Sequence, residues 1–138
     1  MGNTINMQDM RYLNLFERIT RISTRFCFKY NEAIIFCVPQ QLVSRSIGEG
    51  GRNVKEIRSI IGKKVKVIPN PQGILEVKEF ISNIISPIKF KDLEIKDEGI
   101  IINAGSQSKA ALIGRNKRRL FELQKISKDF FGKELRII

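Results

Sequence analysis

Ile47-Gly48-Glu49-Gly50-Gly51-Arg52-Asn53-Val54 carries three glycines in four positions. No stable helix interior tolerates that density, because glycine loses more backbone freedom there than any other residue. Both flanks nonetheless read as helix. Leu42, Val43 and Ile47 fall near one face of residues 41–47, and Val54, Ile57, Ile60 and Ile61 follow at three-to-four spacing. The stretch is therefore a tight glycine turn between two amphipathic helices. The second helix opens near Arg52, so its unpaired first-turn N–H groups point back across the turn and offer a seat for a phosphate.

Working outward, residues 26–30 and 33–38 are rich in aromatic and β-branched side chains, and the polar Asn31-Glu32 between them predicts a hairpin. A two-residue turn sets Phe28 opposite Ile35 and Cys27 opposite Phe36. Cys27 and Cys37 then lie on opposite faces of the ribbon, which predicts two free thiols. Ahead of the hairpin, Asp9 as a cap and a stripe of Tyr12, Leu13, Phe16 and Ile19 predict a first helix, with residues 1–8 loose. After the glycine turn, Gly62 stops the second helix, and Val65-Lys66-Val67-Ile68 reads as a strand closed by Pro69.

Pro69-Asn70-Pro71-Gln72-Gly73 is the clearest punctuation in the chain. Beyond it we expect a helix with Leu75, Phe80, Ile81, Ile84 and Ile85 as core positions, a strand over residues 88–96 and a turn at Asp97-Glu98-Gly99. A strand over residues 100–103, a short helix from Ser106 to Ile113 and a polar break at Gly114-Arg115-Asn116-Lys117 come next. A helix with Leu120, Leu123, Ile126 and Phe130 runs to Gly132, and residues 135–138 form the last strand. The second half repeats the first. Ile34-Ile35-Phe36 to Gly48 has the spacing of Ile100-Ile101-Ile102 to Gly114, an offset of 66, and Gly62-Lys63-Lys64 answers to Gly132-Lys133-Glu134 at an offset of 70. The chain is thus expected to be α+β, with two copies of one small module, residues 1–70 and 71–138. In each copy a helix-turn-helix crossover joins two parallel strands, giving a three-stranded mixed sheet with helices packed on one face.

The net charge of +11 is confined to two stretches. Residues 45–66 hold seven Lys/Arg against two acids, and residues 109–136 hold nine against three; elsewhere basic and acidic side chains cancel. Each copy carries one of these windows, which favours a polyanionic partner. There is no Trp, and most of the nine Phe fall at positions that need burial, so recognition is expected to rest on phosphate charge, a groove and hydrogen bonds more than on aromatic stacking. No apolar run approaches the ~18 residues of a membrane span, and Met1-Gly2-Asn3-Thr4-Ile5-Asn6 has neither the basic start and apolar centre of a signal peptide nor a myristoylation pattern. A cytoplasmic protein with no membrane partner is the expectation.

Gly48-Glu49-Gly50-Gly51, preceded by Ile47, flanked by helices and then strands, and crowded by basic residues, resembles the G-x-x-G loop of the KH domain, which clamps the backbone of about four nucleotides. A helix and a strand before that core, and none after it, is similar to the type II (prokaryotic) KH topology. Two such domains on a short linker resemble the compact archaeal NusA-like proteins, over nearly the whole chain. The second motif is degenerate: Ile113-Gly114-Arg115-Asn116-Lys117 keeps the leading Ile-Gly but has Lys117 in place of the second glycine.

By that resemblance, Gly48, Glu49, Gly50 and Gly51 contact the sugar-phosphate backbone of single-stranded RNA, while Arg45, Arg52 and Lys55 supply charge. Val43, Ile47, Val54 and the edge of residues 65–68, Lys66 included, form a groove for bases. Gly114, Arg115, Asn116, Lys117, Arg118 and Arg119 take the equivalent places in the second module. The same resemblance implies nascent transcript as the RNA, RNA polymerase as a partner, and modulation of pausing, termination or antitermination. With no histidine, no paired carboxylates in a glycine-bounded loop and no metal-ligand spacing, we expect no enzyme, no cofactor, no metal and no small-molecule substrate. Two other readings stay open on the residues: KH-like scaffolds docking in a ribonucleoprotein or ribosome-assembly complex through protein contacts, and helix-turn-helix units reading duplex DNA.

Overall fold

Asn31 and Glu32 both adopt positive φ, 50° and 65°, the geometry of a two-residue hairpin turn whose twist matches that of its strands. They join β1 (Phe26–Tyr30) to β2 (Ala33–Val38), and the pairing sets Phe28 against Ile35 and Cys27 against Phe36, the register expected from the turn. Both cysteines are free thiols.

The computed structural model describes residues 6–138, in two compact units that divide between Asn70 and Pro71. The fold is α+β, with one three-stranded mixed sheet in each unit. The first unit opens with α1 (Met7–Thr20). Asn6, and not Asp9, is its cap: the Asn6 side chain accepts the Asp9 N–H at 2.8 Å, and Asp9 sits inside the first turn, where its charge complements the helix dipole. Met7 and Gln8, expected to be loose, belong to this helix; the rest of that expectation, at residues 1–5, lies outside the described residues. After the hairpin come α2 (Val43–Ile47), α3 (Arg52–Ile61) and β3 (Lys64–Pro69). β3 pairs parallel to β2, which is the central strand. The core on the helix side of this sheet gathers Phe16, Ile34, Phe36, Val38, Ile57 and Val67, with Phe16 and Phe36 stacked at 4.5 Å between ring centroids.

The second unit runs through α4 (Val77–Ile85), β4 (Asp92–Ile95), β5 (Gly99–Asn103), α5 (Lys109–Ile113), α6 (Arg118–Phe131) and β6 (Glu134–Ile137). β4 pairs antiparallel and β6 parallel to the central β5. The offset of 66 holds element by element from β2 and β5 to the starts of α3 and α6. It becomes 70 at β3 and β6, because α6 has 14 residues where α3 has 10.

Three expectations need correction here. β4 spans four residues instead of the nine expected, since its partner β5 ends at Asn103 and the chain turns away at Gly105, φ 79°. One bond, Lys91 N–H to the Asn103 carbonyl, extends the pairing. Leu75 is not core but 94% exposed; it lies in a 3₁₀ turn ahead of α4, whose buried side begins at Val77. Residues 106–108 form turns, so α5 starts at Lys109 and not at Ser106.

Candidate nucleic-acid interface

The first loop is built by three glycines with positive φ. Gly48 (φ 83°, ψ 163°) leaves α2 in a conformation only glycine adopts readily, while Gly50 (φ 63°, ψ 18°) and Gly51 (φ 77°, ψ 17°) turn through the left-handed region into α3. Gly48 also has no room for a side chain: a Cβ there would stand 3.0 Å from the Asn53 backbone nitrogen. Asn53 in turn donates its side-chain N–H to the Arg45 carbonyl at 3.3 Å, tying the N-terminus of α3 to the end of α2. The tie holds the first-turn N–H groups of α3 and the loop backbone in one place, and the partial positive charge of the helix end adds to that of the cations.

Arg45, Glu49, Gly50, Arg52 and Lys55 are exposed at this turn, and Gly51 is half-exposed. Ile47, Val43, Val54 and Val65 are half-buried, packed by their inner atoms against the core cluster, while Ile57 is fully buried. The structure therefore brings together the glycine turn, three cations and an apolar flank. Lys66 is set apart. Val65 and Val67 face the helix-side core, so strand alternation sends Lys66 to the opposite face of the sheet; burial there lowers its ammonium pKa from the ordinary value.

The second loop repeats this backbone without two of the glycines. Gly114 has φ 77° and ψ 170°, Asn116 φ 56° and ψ 28°, and Lys117 φ 61° and ψ 22°. Asn visits the left-handed region with help from its short polar side chain; for Lys the same conformation costs about 1–2 kcal/mol. A Cβ on Gly114 would lie 3.1 Å from the Arg119 backbone nitrogen. Arg119 holds the place of Asn53 and does its work, donating a guanidinium N–H to the Ala111 carbonyl at 2.9 Å. Arg115, Asn116, Lys117 and Arg118 are exposed, whereas Arg119 is half-buried over the turn.

Two features of the site were not expected from the sequence. One is the pair of braces from Asn53 and Arg119; the shared offset of 66 was the available signal, since each stands five residues after the first glycine of its loop. The other is Phe121, 56% exposed beside the second loop. It holds the position of Lys55, and it is an exposed exception among phenylalanines expected mostly at positions that need burial. Among the described residues no group of three or more His, Cys, Asp or Glu could hold a metal ion, and no helix is long and apolar enough to cross a membrane.

No protein-family model matches the chain. It is 30% identical over 114 residues to a probable transcription termination protein NusA of Methanococcus vannielii, a match covering 80% of this chain and 64% of the relative, just under two thirds of that protein's length. Proteins of the same description from Methanocaldococcus jannaschii (28% identity, 90% of this chain, 68% of the relative) and Halococcus morrhuae (24%, 90% and 94%) also match. Among solved structures, the crystal structure of APE1850 superposes with a TM-score of 0.66 at 25% identity, covering 97% of this chain and all of that one. The repeated fold thus goes with a likeness, over most of this chain, to archaeal proteins described as probable NusA.

Proposed function

We propose that the two units are tandem type II KH domains, residues 1–70 and 71–138, and that the chain binds single-stranded RNA without catalysing a reaction. The observation that carries this reading is the matched pair of turns, each a glycine with ψ near 160–170°, one intervening residue, and then two left-handed residues at a helix N-terminus. Each is ringed by exposed cations. In the first loop, Gly48, Glu49, Gly50 and Gly51 present backbone to phosphates, Arg45, Arg52 and Lys55 supply charge, and the half-buried Ile47 and Val54 border the bases. The assignment does not rest on Lys66. In the second loop, side chains replace backbone: Arg115, Lys117 and Arg118 meet phosphates, Phe121 offers a face on which a base can stack, and Arg119 braces the turn.

The relatives' description as transcription termination proteins supports nascent transcript as the RNA, an action on pausing, termination or antitermination, and RNA polymerase as the machinery served. For the second unit alone a protein-docking role is the competing reading, and the exposed Phe121 together with the missing second glycine favours it over a duplex-DNA role.

Replacing Glu49 and Gly50 by aspartates tests the reading. Gly50 has open space where a Cβ would stand, so the fold should survive with a cost of about 1–2 kcal/mol for a left-handed side chain. Two carboxylates beside the phosphate seat should abolish binding of single-stranded RNA. Unchanged affinity would remove the first loop from the interface.

A further inference from the structure

At the far end of α3 from the glycine turn lies a second basic feature. Lys55, Arg58, Ser59, Gly62, Lys63 and Lys64 line an open cleft of about 720 Å³. Four of the six are cations and none is an acid. None of the four cations is in an ion pair with an acid of the described residues. Glu32, next to the Ala33 that pairs with Lys64, is held by Lys29 at 3.5 Å. A helix C-terminus does favour a cation, but its partial charge is only about half an elementary charge. Arg58 in the last turn of α3 already answers it, which leaves three cations beyond what the helix needs.

The second unit shows what a neutralised version looks like. At the offset of 70 that holds towards the end of the helix, Arg58 and Lys63 correspond to Lys128 and Lys133, but Ser59 and Lys64 are replaced by Asp129 and Glu134. Those acids are used: Lys125 pairs with Asp129 at 3.1 Å and Lys128 with Glu134 at 3.2 Å. Lys133 donates to the carbonyls of Lys96 and Asp97 at 3.1 and 3.2 Å. One copy of the repeat satisfies its cations internally; the other leaves them facing solvent around a cleft.

The two basic features of the first unit are joined by Lys55. Its Cε lies 3.7 Å from where a Cβ on Gly51 would stand, at the glycine turn, and the same side chain lines the cleft. Helix α3 spans about 15 Å between them. We propose that the cleft is a second phosphate-binding subsite, holding the backbone of single-stranded RNA beyond the nucleotides gripped by the Gly48–Gly51 turn. The subsite rests on the RNA-binding reading above and extends it: α3 becomes a track with a phosphate seat at each end. Arg58, Lys63 and Lys64 serve affinity for longer strands, with no part in the grip of the loop itself.

The test uses the full chain, the triple variant Arg58→Gln/Lys63→Gln/Lys64→Gln, and the charge-keeping variant Arg58→Lys/Lys63→Arg/Lys64→Arg. Fluorescence anisotropy would measure binding of labelled oligouridylates of four and of twelve nucleotides across a salt series. The Gln variant should bind the short strand as the parent does. It should bind the long strand at least tenfold more weakly at low salt, with a salt slope reduced by about 1.4–2.1, the loss of two to three phosphate contacts on single-stranded RNA. The charge-keeping variant should restore both, which also answers any concern over folding. A parent that binds both strands, with a Gln variant that keeps the long-strand affinity and slope, would overturn the subsite and leave the loop reading standing. A parent that binds neither strand would overturn both.

Discussion

Lys117 holds a long side chain in the left-handed region at a position where the first loop has glycine, and replacing it with glycine should stabilise the protein. Its φ of 61° and ψ of 22° lie close to the 77° and 17° of Gly51, its counterpart. Holding an L-residue there costs about 1–2 kcal/mol, whereas glycine in the unfolded chain gains back about 0.4–1 kcal/mol of conformational freedom. The Lys117 N–H donates to the Gly114 carbonyl at 3.1 Å, a bond glycine keeps. The expected gain from Lys117→Gly is therefore about 0.5–1 kcal/mol, or roughly 2–8 °C in the melting temperature of a unit this size. The matched reversal is Gly51→Lys. A Cβ at Gly51 meets only the Lys55 side chain, at 3.7 Å, so its cost is conformational and should be of similar size with opposite sign. Urea unfolding followed by far-ultraviolet circular dichroism, with unchanged m-values, reads both. A Lys117→Gly protein less stable than the parent would refute the claim that the second loop stores strain.

Other outcomes follow from the same geometry. Gly48→Ala should cost about 2–3 kcal/mol, since it combines a glycine-only backbone region with a Cβ 3.0 Å from the Asn53 nitrogen; Gly50→Ala, with open space, should cost about 1 kcal/mol in the same unfolding assay. Arg119→Ala should lower stability by about 1–2 kcal/mol through loss of the bond to Ala111 while leaving the salt dependence of RNA binding in place. Arg115→Ala should do the reverse, reducing the salt slope by about 0.7 with little change in the melt. Burial, and then the Asp9 carboxylate, pushes the Cys27 thiol up to about 12 from 9.0, and burial pushes Cys37 up as well. Folded-state values above the unfolded one give stability that is full below pH 9 and is lost as pH rises from there towards 12. The urea midpoint should therefore fall between pH 8 and 10.5, and fall less in the Cys27→Ala/Cys37→Ala protein.

Much of this architecture is written locally in the chain. Asn31-Glu32 specifies the β1–β2 register because a two-residue turn leaves one alignment that buries Ile34, Phe36 and Val38 together. The glycine turn and the offset of 66 are periodic features, and they survive as matching element boundaries. What escaped was set by three-dimensional geometry that the apolar pattern and the charge count do not spell out. The length of β4 depends on where β5 stops, not on its own alternation. The exposure of Leu75 depends on a 3₁₀ turn that precedes α4. Arg119 reads as one more cation in a basic run, and only its reach to the Ala111 carbonyl distinguishes it from Arg118. Lys66 likewise sits in the basic window of the first copy, yet the pleat of β3 turns it away from the loop that window surrounds. The exposed cleft at the end of α3 appears only when its cations are seen without acids, beside a second copy whose cations are paired.

The central claim is that both glycine turns lie on one kind of interface for single-stranded RNA, and photo-crosslinking tests it most directly. Bound oligoribonucleotide carrying 4-thiouridine would be crosslinked to the full chain, digested, and the modified peptides mapped by mass spectrometry. The account predicts adducts within residues 45–55 and 114–121, both suppressed as salt rises. Adducts confined to the sheet faces or to α1 and α4, with the two turns unmodified, would contradict it.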